Sequence, residues 1–118
     1  MSRPTAGGGR MLRVSAGSNP TASAGAIANG IRESGEVAIQ VIGPRAVNQA
    51  VKAIAIARGY VAAGALDLYF VPEFSTVQIG DEVRTAMLLA VRPRHPVSSG
   101  AGALRPGPAD PPDDSLLS

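Results

Sequence analysis

The stretch from Ile39 to Tyr60, IQVIGPRAVNQAVKAIAIARGY, constrains this chain more than any other part of it. A short apolar run reads as a buried strand, Gly43-Pro44 starts a helix, and Gly59 is placed to stop it. On that helix Val47, Ala50, Val51, Ile54 and Ala57 form one apolar stripe, with Arg45, Asn48, Gln49 and Lys52 on the opposite side. Ile56 falls at the end of the polar side, so burial within the monomer is not expected. The polar stripe can bind but offers no acid–base pair or nucleophile, which points to recognition rather than chemistry.

The flanking segments supply the remaining layers. Leu12, Val14 and Ala16 alternate with Arg13, Ser15 and Gly17, the pattern of a half-buried strand. Asn19-Pro20 is an N-cap followed by a first-turn proline, and Ala24, Ile27, Ala28 and Ile31 repeat at helical spacing until Gly35. Val37 to Ile42 reads as a central strand, Leu66 to Val71 as a third, Pro72 to Glu82 as turn-rich, and Val83 to Arg92 as a fourth. The order predicted is β-α-β-α-β-β. It gives an α/β (α+β) sandwich, a four-stranded mixed sheet with both helices on one face. The open back carries Tyr69, Val71, Ala86 and Leu88, which hints at self-association.

Composition divides the 118 residues into three parts. Residues 1–10, with Gly7-Gly8-Gly9, are expected to be a disordered extension, and Met11 competes with Met1 as the true start. Residues 11–95 form the folded domain, and 96–118, holding five of the ten prolines, read as a disordered tail. The absence of cysteine excludes disulfides, thiolate metal sites and a cysteine nucleophile. No apolar run approaches the roughly 20 residues that span a bilayer, and the N-terminus has no signal-type apolar region, so a cytoplasmic protein is expected. Residues 11–96 carry eight basic and six acidic groups, and 97–118 carry one arginine against three aspartates. That balance is weak for a duplex-DNA binder, so any nucleic-acid affinity should be modest and fall with salt.

The run from Val14 through VPEF to RTAMLLAVRPR closely resembles the stage V sporulation protein S family over about residues 11–94. Its most specific pieces are IGPRAVNQAVKAIAIARGY, Val71-Pro72-Glu73-Phe74, and the closing Arg84 to Arg94. The resemblance implies an Alba-like fold and a small, non-enzymatic bacterial regulator of sporulation or related development, nucleic-acid binding and oligomeric. Arg45 matches the basic residue of the Gly-Arg-Ala turn in Alba proteins, but Gln49 stands where their lysine would be and Lys52 is displaced. The hairpin arm, basic in Alba proteins, here sets Glu73, Asp81 and Glu82 against Arg84.

The candidate nucleic-acid contacts are therefore Arg45, Lys52, Asn48 and Gln49, with Arg58 and Arg84 extending the surface. The competing reading of the stripe is an ordinary solvated helix face. Ser18, Asn19 and Thr21 read as a cap rather than an anion site, and GSNPTASAG lacks the spacing and lysine of a P-loop. Gly25 and Gly30 suit close helix packing. His95 has no partner group nearby in sequence, and Glu73, Asp81 and Glu82 have no regular cation-ligand spacing. No catalytic residue, cofactor or metal is expected. The partners expected are RNA or DNA and a second copy in a homodimer or higher homo-oligomer. A protein-interaction module without nucleic-acid binding is the alternative.

Overall fold

The computed structural model of the protein describes residues 9–95. The extension expected over 1–10, apart from Gly9 and Arg10, lies outside the described residues, as does the tail expected over 96–118. The elements run β1 (Arg10–Arg13), α1 (Pro20–Ser34), β2 (Val37–Val41), α2 (Pro44–Ala62), β3 (Asp67–Ile79) and β4 (Glu82–Arg94). This is the β-α-β-α-β-β order that the sequence predicts.

Local chemistry sets the ends of α1. The Asn19 side chain accepts hydrogen bonds from the backbone N–H groups of Thr21 (2.8 Å) and Ala22 (3.1 Å). Pro20 follows, where a missing N–H costs nothing. Gly35, in the left-handed conformation at φ 81°, donates its N–H to the Ile31 carbonyl and stops the helix.

The four strands form one sheet in the order β1-β2-β4-β3. β1 and β2 are parallel, and β4 runs antiparallel between β2 and β3. The last strand is thus a central one, while β1 and β3 are the edges. Val37, Ile39, Val41, Leu89 and Val91 are buried on the face that the helices cover. Each such side chain contributes about 1.5–3 kcal/mol on removal from water. Ala46, Ala50, Ala53 and Ala57 of α2 and Ala24 and Ala28 of α1 complete the core. These small side chains let the helices approach one another and the sheet, so a core without tryptophan can still be dense. At Gly30 a Cβ would sit 2.4 Å from Val37 Cγ2, so α1 meets β2 there at a distance only glycine allows.

Several local expectations need correction. β1 is shorter and earlier than the alternation suggested: it begins at Arg10 and ends at Arg13, although the Val14 N–H still bonds the Gln40 carbonyl at 3.2 Å. Ala16 is exposed, in the turn before α1. α2 continues through Gly59 to Ala62, because glycine in a helix interior weakens it but terminates it only where a left-handed residue is needed. The chain turns at Gly64-Ala65 instead, with Ala65 at φ 63°. Pro72 to Glu82 is mostly strand: β3 runs unbroken to Ile79 and turns at Gly80-Asp81. Pro72 is tolerated because β3 is an edge strand, where a missing N–H breaks no ladder bond on the solvent side. The buried stripe of α2 is Ala46, Ala50, Ala53, Ile54, Ala57 and Val61, rotated away from Val51, which is 40% exposed. Ile56 is half-buried and packs on the core. α1 and α2 pack side by side, so the buried arc of α2 is wider than one stripe facing a sheet. Gly25 has no close neighbour, and nothing in the packing explains it.

The back of the sheet is uncovered by any described helix. By strand register, Met11, Ala38, Ala90, Val71, Leu88 and Tyr69 share it. Val71 and Tyr69 are about two-fifths exposed, Leu88 is half-buried, and Ala86 beside them is buried.

Candidate nucleic-acid interface

Because β1 and β2 are parallel and each leads directly into a helix, both helix N-termini emerge at the same end of the sheet. The turn into α2 depends on Gly43, whose φ of 88° and ψ of 158° are open essentially to glycine alone. Pro44 then occupies the first turn, and Arg45 leaves the helix start exposed. Asn48 and Lys52 follow one and two turns on, also exposed. Their i, i+3, i+7 spacing aligns all three on one face. Backbone N–H groups at such a helix start, with the positive end of the dipole, favour an anionic ligand.

The turn before α1 is stiff. Ser18 accepts the Ser15 N–H on its Oγ at 2.9 Å and donates its own N–H to the Ser15 carbonyl at 3.1 Å. Gln49 joins this turn to α2: its Nε2 donates to the Ser18 carbonyl at 2.7 Å. Gln49 is therefore a brace that fixes one helix start against the other, and its amide is not free as Asn48 is. Beside the turn lies an open groove of about 350 Å³ lined by Arg13, Val14, Ser15, Ala16, Gln40 and Ile42.

The other expected contacts lie elsewhere. Arg58 is 13 residues along α2 from Arg45, roughly 20 Å at helical rise. Its Nε donates to Asp67 Oδ1 at 2.6 Å, and Arg94 Nη2 reaches the other carboxylate oxygen at 3.3 Å. The hydrogen bond from Arg58 holds the Asp67 carboxyl below the usual carboxylate range, against the opposing effect of its burial. Asp67 in turn raises the Arg58 guanidinium above its ordinary value. Arg84 lies opposite Val77 on the hairpin, alternating with residues on the helix side, and so belongs to the back face.

Arg45, Asn48 and Lys52 thus come together, Gln49 supports them, and Arg58 and Arg84 are separate. Arg13, which sequence reasoning did not single out, lines the groove from the back face opposite Gln40. Among the described residues Arg13, Arg32, Arg45, Lys52 and Arg84 have no ion-pair partner, Arg32 donating instead to Asn29 Oδ1 and the Tyr60 carbonyl, whereas Arg10, Arg58, Arg92 and Arg94 pair with Glu33, Asp67, Glu36 and Asp67. No helix among the described residues is long and apolar enough to cross a membrane.

The described chain is thus a four-stranded mixed sheet with two helices on one face, and Arg45, Asn48 and Lys52 lie exposed along the first turns of the second helix. A family model, Stage V sporulation protein S, matches residues 10–94. The chain belongs to this family, which is a sporulation-related family of non-catalytic, regulatory type.

Proposed function

We propose that this chain is a non-catalytic bacterial, cytoplasmic regulator that binds RNA or DNA with modest, salt-sensitive affinity and acts in sporulation or related developmental control. The observation that carries this reading is the alignment of Arg45, Asn48 and Lys52 on one exposed face beside two helix N-termini. Arg45 and Lys52 would contact phosphates, and Asn48 a base edge or sugar. Gln49 holds the surface in shape through Ser18.

The test is fluorescence anisotropy of the full chain with single-stranded RNA, single-stranded DNA and duplex DNA across a salt series. Binding should weaken steeply with salt, and the Arg45→Ala/Lys52→Ala variant should lose it while keeping its unfolding transition. Removal of two phosphate contacts lowers the log–log salt slope by about 1.4–1.8. Unchanged affinity in that variant rejects the assignment.

A protein-interaction module is the second reading, and Phe74 favours it. This side chain is 80% exposed on a hairpin that also bears Glu73, Asp81 and Glu82. Contact through such an apolar side chain would survive salt that abolishes phosphate binding.

A further inference from the structure

We propose that the groove between α2 and β3 is a docking site for a segment of this same chain, Asp113-Asp114-Ser115-Leu116-Leu117. The groove has a volume of about 360 Å³. Val51, Ile54, Ala55 and Phe70 give it an apolar floor, and Arg58 and Arg94 stand at its rim. Val51 and Ala55 are exposed although they belong to the longest helix, so the floor has no cover among the described residues.

The rim sets the chemistry of the occupant. Two guanidinium groups share the single carboxylate of Asp67, and the arginine side chains remain 56% and 60% exposed. Arg58 spends its Nε and one terminal nitrogen on Asp67, as does Arg94. The second terminal nitrogen of each is left over, together with one unit of positive charge. An extended peptide with carboxylates followed by aliphatic side chains complements this arrangement: the acids reach the spare donors and the aliphatics cover Val51 and Ala55.

The sequence beyond β4 contains one such stretch. Leu104 stands beside Arg105, whereas Leu116 and Leu117 follow Asp113 and Asp114. The tether fits. β4 ends at Arg94, itself on the rim, and 18 residues separate it from Asp113. Eighteen residues span at most roughly 60 Å fully extended, so their length permits the contact. Tethering makes the contact intramolecular, so it does not require high affinity. This inference does not rest on the nucleic-acid reading: the rim arginines Arg58 and Arg94 are not among its contacts, although Val51 of the floor adjoins Lys52.

The absence of cysteine from the chain makes the test clean, since Ser118→Cys gives a single attachment point for a nitroxide. In the full chain, the label should broaden the amide signals of Val51, Ala55 and Phe70 while sparing Met11 and Leu12 on the far edge strand. Replacing Leu116 and Leu117 by Ser, or Asp113 and Asp114 by Asn, should restore them. Uniform or absent broadening overturns the proposal. So does broadening of the same amides when labelled, isotope-free chain is mixed with unlabelled, isotope-enriched chain, for the occupant would then be a second copy.

Discussion

Single residues with one conformation open to them determine how the candidate interface is presented. Gly43 is the clearest. Its backbone angles, φ 88° and ψ 158°, are strained for any side chain, and the position leads straight into Arg45. A Cβ there would meet no neighbouring atom within 4 Å, so the cost of Gly43→Ala is conformational and not steric. That substitution is expected to destabilise the domain by about 1–3 kcal/mol, read from urea unfolding. If stability is unchanged, the turn is not the constraint described. Gln49 shows the limit of reading one residue at a time. Its pattern on the helix places it with Arg45, Asn48 and Lys52, yet its partner is the Ser18 carbonyl, 31 positions away. No local signal marks that pairing.

At the level of elements, what could be read from sequence was what local chemistry decides. Asn19, Pro20 and Gly35 set α1, and the structure places its ends there. The end of α2 was illegible because Gly59 has an ordinary helical role, while the turn falls on Ala65, a residue with no turn signature. The length of β3 was illegible for a different reason: Pro72 breaks a central strand but not an edge strand, and β3 is an edge only because β4 inserts beside β2. Arg58 was likewise assigned to the interface before its partner, Asp67, was placed beside it. The pair joins the end of α2 to the start of β3, and its pH dependence follows from the lowered Asp67 carboxyl. A carboxyl below its unfolded value contributes stability above that value, about 3.9, and loses it as pH falls through the folded one. Asp67→Asn should therefore cost about 1–2 kcal/mol at pH 7, a figure kept small because both arginines are more than half exposed. The difference from wild type should shrink as pH falls below about 3.9 in denaturant titrations; a constant difference would mean that packing, not charge, is lost.

For the whole molecule, the uncovered sheet back is the main surface left to explain. Met11, Val71 and Tyr69 surround the buried Ala38 and Ala90, a shallow apolar face with small residues at its centre. We propose that the chain forms a homodimer and that two copies meet through this face. Val71→Glu should place unpaired charge in that contact and give a monomer by analytical ultracentrifugation, with the unfolding transition retained. A variant that still sediments as wild type would assign the dimer to another surface. Such a dimer would bring two Arg45–Lys52 stripes into one particle and multiply a modest affinity for a long polymer.

The order β1-β2-β4-β3 has a consequence for how the chain is made. Of the described strands, the one that carries Leu89 and Val91 into the middle of the core is the last to leave the ribosome. Until then β2 has only β1 to pair with, and β3 has nothing. The earlier helices are drawn over an incomplete sheet, and no first half can settle ahead of a second. The sheet can thus be completed only once β4 is available to pair with both β2 and β3.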